Sequence, residues 1–236
     1  MMWKTIRRWL GAAADVALPR VCPVCQQALD ADERWLCRRC LATLPRTRYE
    51  QTQFNTMEQH FAGKVPIERA TAYFFYEKGS PYASILHDIK YHSAPKMGYW
   101  LTARAVADMA ASHFFDGIDV VTAVPLHRSK LAQRGYNQSE YLARGIADTL
   151  HVPFAEALMA VRPHSTQTRK GAMERWQNIQ NNYTLKNDAD HLAGKHILLV
   201  DDVITTGSTL IVCASLLKQI PGVTVSLFTL AAARLE

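Results

Sequence analysis

Two adjacent carboxylates, Asp201 and Asp202, stand just ahead of a hydroxyl-rich turn, Thr205, Thr206, Gly207, Ser208 and Thr209, in the stretch HILLVDDVITTGST. Paired carboxylates accept hydrogen bonds from neighbouring sugar hydroxyls. A turn rich in Thr and Ser, with a glycine free to take positive φ and a helix N-terminus behind it, holds a phosphate monoester on unpaired N–H groups. Side by side, the two features describe a sugar phosphate site, with ribose hydroxyls on the acids and the 5′-phosphate in the turn. Ile197–Val200 reads as a buried strand ending at the acids. That ending would put them at the carboxyl edge of a sheet, where open α/β folds bind ligands.

A hydrophobic strand ending in two acids also occurs as the metal-binding strand of P-loop ATPases, but no GxxxxGK[ST] is present anywhere in the chain. An ordinary strand-to-helix turn with polar caps explains neither the paired acids nor the number of hydroxyls. VDDVITTGST resembles the motif by which type I phosphoribosyltransferases bind phosphoribosyl pyrophosphate (PRPP). The resemblance implies an α/β fold, a parallel sheet flanked by helices. It also implies that Asp201 and Asp202 face the ribose 2′- and 3′-hydroxyls while residues 205–209 wrap the 5′-phosphate. Mg²⁺ is expected to arrive with PRPP, held largely by the ligand's own oxygens.

Four of the five cysteines form two CxxC pairs, Cys22/Cys25 and Cys37/Cys40, with eleven residues between them. Each pair puts two thiolates on one tight turn, and two such turns complete the closed tetrahedral shell of a structural Zn²⁺. Two disulfides are the alternative, and nothing marks the chain for an oxidising compartment, so a cytoplasmic protein with bound zinc is expected. Cys213 lies on the apolar stripe of the helix after the phosphate turn and reads as a buried, inert thiol.

The composition, 48% hydrophobic over 236 residues, is that of a globular chain with room for one medium domain and a small appendage. No apolar run approaches the roughly 20 residues that span a bilayer. Residues 1–18 carry Lys4, Arg7 and Arg8 ahead of a weak apolar segment that Asp15 interrupts, which argues against a signal peptide. Trp3, Ile6, Trp9, Leu10, Ala13, Ala17 and Leu18 instead suit a helix packed on the protein body or, as the alternative, on a membrane surface. The net charge of +6 is modest. Residues 1–64 hold ten Lys/Arg against six Asp/Glu, and four zinc-bound thiolates would offset part of that excess. Such a field permits an anionic partner without demanding DNA.

Inside the larger part, Ile118–Val124 reads as a second buried strand opening into a basic loop that contains His127, Arg128, Lys130 and Arg134. Arg162, His164, Arg169, Lys170 and Arg175 form a second cationic segment, and the two segments could surround a pyrophosphate. Strands at 70–76 and 223–229, with helices at 81–92, 98–114 and 138–150, complete a βα alternation that predicts a parallel sheet. Residues 47–64, polar and without strong periodicity, read as a linker. The expected division is an N-terminal helix, cysteine module and linker over 1–64, then a phosphoribosyltransferase-like domain over 65–236.

Nearly the whole chain resembles the ComF family. Four blocks occur in order: the four-cysteine module, ILHDIKYHSAPKMG at 85–98, VPLHRSKLAQRGYNQSE at 124–140, and the PRPP motif. Thr166, Gln167 and Thr168 with Arg175 and Asn178 are similar to a further family segment, although Lys170 stands where an apolar residue is expected. The resemblance implies a part in natural competence or in using DNA as a nutrient, with single-stranded DNA and DNA-uptake proteins as partners. It also implies displacement of pyrophosphate at the anomeric carbon with no covalent protein nucleophile. Arg128, Lys130 and Arg134 are then the pyrophosphate candidates, Arg169, Lys170 and Arg175 a closing loop, and Lys90 beside Tyr91 a further contact. Among His87, His92, His127 and His164, His127 is the one expected to do more than face solvent. No cysteine follows Met1 and Met2, so an ammonia-releasing glutaminase half is not expected. Two function classes follow: a phosphoribosyl transferase of unspecified acceptor, and a nucleotide-sensing accessory factor that binds without turnover. A protein-docking face on the cysteine module fits either.

Overall fold

The computed structural model describes residues 20–91, 94–161 and 182–233. Four parallel strands form the central sheet: β1 Ala70–Tyr76, β2 Val120–Ala123, β5 His196–Ile204 and β6 Thr224–Ala233, in the order β1-β6-β5-β2. A two-stranded antiparallel ribbon, β3 Leu158–Ala160 with β4 Tyr183–Leu185, stands apart from it. Seven α-helices lie among the described residues: α1 Arg38–Ala42, α2 Thr56–Phe61, α3 Ala83–Tyr91, α4 Pro95–Met109, α5 Arg128–Arg134, α6 Gln138–Leu150 and α7 Ser208–Leu217. None of them is long and apolar enough to cross a membrane.

The central strands are apolar on both faces, as a parallel sheet covered on both sides requires. Leu198, Val200 and Phe228 face a core built with Ile85, Ile89, Leu101, Leu142 and Ile146 from α3, α4 and α6. Leu199 and Leu227 face the other core, built with Met57 and Phe61 of α2, Leu210 and Leu217 of α7, and Tyr183. The close crossing of α4 and α6 depends on Gly145, where a Cβ would meet the Tyr99 carbonyl oxygen at 2.3 Å.

Three expectations change on the structure. The strand carrying the acids does not stop at Val200. Its pairing with β6 continues through Asp201 to Ile204, because Val203 and Ile204 oppose Ala231 and Ala232. On its other side the pairing with β2 ends at Val200, closed by Val124 N–H donating to the Val200 carbonyl at 2.9 Å. The acids therefore sit where one flank of the strand opens, not beyond its end. The basic loop is in part α5, capped at its start by His127 and ended by Gly135 at φ 81°. Residues 47–64 are not a slack linker. Asn55 and Glu58 form a capping box on α2, Met57 and Phe61 are fully buried beneath it, and Thr47 N–H donates to the Tyr73 carbonyl. Its polar residues spend their hydrogen bonds inside the protein, a use that periodicity does not register.

Candidate functional site

The opened flank of β5 is closed by two helix ends. From the C-terminal turn of α3, Lys90 reaches Asp202, with Nζ 3.1 Å from Oδ2. Asp202 is buried, and that oxygen has a charge beside it but no hydrogen-bond partner among the described residues. From the first turn of α6, the Ser139 hydroxyl donates to Asp201 Oδ1 at 2.8 Å, and the Asp202 N–H donates to the same oxygen at 2.9 Å. Burial, and then the neighbouring Asp202 charge, push the Asp201 carboxyl up to about 7; the Ser139 bond and Lys90 offset part of the rise. The two acids thus differ: Asp202 is the paired charge, and Asp201 is a carboxyl poised to gain or lose a proton near neutrality.

Residues 134–139 hold this corner together. The Tyr136 hydroxyl donates to the Ile89 carbonyl at 2.6 Å, which fixes the end of α3 that carries Lys90. Asn137 donates to the Val124 carbonyl at 3.0 Å and caps α6 by accepting from Ser139 N–H. Arg134 donates to Gln138 Oε1 at 2.9 Å and stacks over Tyr91, its carbon 4.9 Å from the ring centroid. Of the cationic candidates in this segment, Arg134 is therefore engaged in structure. Arg128 is exposed and lines a cavity of about 330 Å³ with Ala123, Pro125, Leu131, Phe154 and Met159, and Lys130 lies on the same helix. His127 is an N-cap: Ser129 N–H donates to its Nδ1 at 3.2 Å. That nitrogen is occupied as an acceptor and is not a free base.

Past the acids, Gly207 takes φ 68° and caps α7 with no side-chain hydrogen bond, so the first N–H groups of that helix keep no side-chain partner at the cap. Thr206 and Ser208 hydroxyls lie 3.1 Å apart on one side of the turn. Thr209 is a side-chain hydrogen-bond partner of the Tyr183 phenol. His60, from α2, contacts the Thr206 carbonyl at 3.0 Å. Thr205 completes the turn as an exposed residue. Arg162, His164, Arg169, Lys170 and Arg175, with Asn178, His92 and the expected helix over 1–18, lie outside the described residues.

Two residues of the site escaped the sequence reading. Ser139 lies in the 124–140 block, and its place at the start of a helix after Asn137 was the available signal. His60 carries no local signal at all.

The cysteine module is a separate centre. The sulfurs of Cys22, Cys25, Cys37 and Cys40 all lie within 4.8 Å of one another, and Cys25 Sγ is 3.7 Å from Cys37 Sγ. A tetrahedral shell with metal–sulfur bonds of about 2.3 Å separates its sulfurs by about 3.8 Å, so the cluster fits a four-coordinate metal with no open position. The Cys40 N–H donates to Cys37 Sγ at 3.4 Å, as thiolate ligands commonly require. The module is fastened to the sheet. Phe75 N–H donates to the Pro45 carbonyl at 2.8 Å, and Tyr82 hydroxyl donates to the Thr43 carbonyl at 2.9 Å. Arg46 pairs with Asp108 at 2.6 Å while stacking on Tyr73. Cys213 is buried in α7, and burial pushes its thiol well above the usual range.

The chain is similar to several known proteins. The Phosphoribosyl transferase domain family matches residues 136–234. DNA utilization protein YhgH of Shigella flexneri is 27% identical over 214 residues, 89% of each chain. Competence protein F of Haemophilus influenzae is 32% identical over 117 residues, 49% of this chain and 51% of that one. Among solved structures, adenine phosphoribosyltransferase from Leishmania tarentolae is similar at 14% identity over 75% of this chain and 87% of that one, with a TM-score of 0.34. The chain thus carries a four-cysteine module ahead of a parallel sheet whose residues 136–234 match the Phosphoribosyl transferase domain family, and it is similar to proteins named for DNA utilization and competence.

Proposed function

We propose that the chain binds PRPP, or a closely related ribose 5-phosphate, at Asp201–Thr209 and transfers the phosphoribosyl group to an acceptor during use of DNA as a nutrient or DNA uptake. The observation that carries this reading is the opened flank of β5. There a buried carboxylate oxygen of Asp202, without a hydrogen bond among the described residues, lies five residues before Gly207, the N-cap of a helix that no side chain caps. In this reading Asp202 and Asp201 accept the ribose hydroxyls, and Thr205, Thr206, Gly207, Ser208 and Thr209 hold the 5′-phosphate. Lys90, 3.1 Å from Asp202, balances the charge on that side of the site. Ser139 aims Asp201.

Rate enhancement then comes from fixing the anomeric carbon between acceptor and leaving group, and from cations beside the departing pyrophosphate. The bond from the anomeric carbon to pyrophosphate breaks as the bond to the acceptor forms. Arg128 and Lys130 are the cations of the described residues assigned to that step, and Arg169, Lys170 and Arg175 are proposed as further cations for it. Mg²⁺, bound with PRPP, would neutralise pyrophosphate charge. Zn²⁺ is assigned to Cys22, Cys25, Cys37 and Cys40 as a structural ion. A cytoplasmic site of action follows from reduced thiols holding that metal. Single-stranded DNA and DNA-uptake proteins are the proposed partners, a reading supported by the names of the homologues.

The test is pyrophosphate release from Mg²⁺-PRPP across a panel of nucleobases and amines. Release that depends on one acceptor and is lost in Asp202→Asn supports transfer. PRPP binding without release from any acceptor overturns it, in favour of a nucleotide-sensing accessory factor.

A further inference from the structure

The phosphate turn leans on a side chain from far upstream. His60 closes the last turn of α2, and its Nε2–H donates to the Thr206 carbonyl at 3.0 Å. A carbonyl only accepts, so the hydrogen bond requires the ring to carry its proton on Nε2. The ring also lies against Gly207: a Cβ there would meet His60 Cδ2 and Nε2 at 3.1 Å and Phe61 Cε1 at 3.3 Å. Position 207 thus favours glycine through its φ of 68°, and any Cβ there would also press on the His60 and Phe61 rings.

A six-residue helix would be marginal by itself, and α2 is held from below. Met57 and Phe61 are fully buried. The Asn55 amide donates to the Tyr49 and Ala70 carbonyls, each at 3.0 Å, and Glu58 pairs with Arg69 at 2.8 Å. His60 is therefore carried on a fixed platform. The peptide it grips, Thr206–Gly207, sits where the backbone turns from strand to helix. Accepting a hydrogen bond at its carbonyl polarises that peptide and strengthens its N–H as a donor.

We propose that His60 is a positioning residue for the phosphate turn, holding the Thr206–Gly207 peptide so that its N–H and the start of α7 face a ligand phosphate. This rests on the reading of residues 205–209 as a phosphate site. The full-length protein would be compared with His60→Phe, which keeps a packed ring but has no donor, and His60→Gln, which keeps a donor. Amide exchange at residues 206–210 and calorimetric titration of ribose 5-phosphate are the readouts. His60→Phe is expected to speed that exchange and weaken ribose 5-phosphate binding by about tenfold, the scale of one hydrogen bond. His60→Gln should stay within about twofold of the wild type, and both variants should melt near the wild-type temperature, so that a general loss of fold is separated from loss of the grip. Unchanged exchange, or unchanged affinity in His60→Phe while the wild type binds, overturns this proposal alone. Failure of the wild type to bind ribose 5-phosphate at millimolar concentration overturns the phosphate reading and this proposal with it.

Discussion

The cysteine module and the acid site hold their functional groups in opposite ways. Each cysteine pair is separated by two residues, and the shell they form needs only local turns, a five-residue helix and a metal to fix it. The acid site draws its partners from across the chain: Ser139 is 62 residues from Asp201, and His60 is 146 residues from Thr206. The first, with the proposed metal bound, would be fixed by coordination chemistry. The second is fixed by packing, through a sheet whose strands bury both faces and through helices whose ends are pinned to it. A centre of the first kind should fall with its metal. One of the second kind should tolerate that loss and respond to buried charges.

Metal removal is the sharpest way to break this comparison. Stripping the cluster with a strong chelator is expected to unfold residues 20–44 and lower the melting temperature by roughly 10 °C or more. Amide exchange should rise there while His196–Ile204 stays protected. Equal exposure of both regions would mean that the acid site also depends on the metal, and that the two centres form one cooperative unit.

Charge tests the other region. Lys90→Met leaves Asp202 buried without its cation and is expected to cost about 3 kcal/mol in denaturant unfolding, with Lys90→Met/Asp202→Asn recovering most of it. A loss that the double variant does not recover would assign Lys90 a packing role instead.

A smaller effect is expected with pH. Asp201 holds its proton up to about 7 in the folded protein, whereas an aspartate in the unfolded chain releases it near 3.9. Between those values the folded state binds more protons, so this group makes stability fall as pH rises from about 4 to about 7. Asp201→Asn should flatten that slope in melting curves taken across the range, and a slope identical to wild type would place the titration elsewhere.

These contrasts also explain what the sequence could disclose. The cysteines, the acids and the TTGST turn are legible because their chemistry is written in consecutive or regularly spaced residues. Strand β1 and helix α6 are legible for the same reason, as unbroken periodic runs. What stayed hidden depends on pairing partners. That Asp201 and Asp202 lie within a strand is decided by Ala231 and Ala232 on β6, and the opening beside them by where β2 stops. Residues 47–64 hid their packing because Asn55, Glu58 and Thr47 satisfy backbone groups of distant segments, which a local reading takes for solvent-facing polarity. The helix-capping role of His127 was equally unreadable, because it depends on its Nδ1 accepting from Ser129 N–H at the start of α5.

The central claim is that the opened flank of β5 is a ribose 5-phosphate site, and calorimetric titration of Mg²⁺-PRPP into the wild type and into Asp201→Ala/Asp202→Ala tests it most directly. Saturable binding by the wild type that is lost in the double variant, with the metal-bound module still folded in both, is the predicted result. Equal heats from the two proteins, or no binding by the wild type at millimolar PRPP, would contradict it.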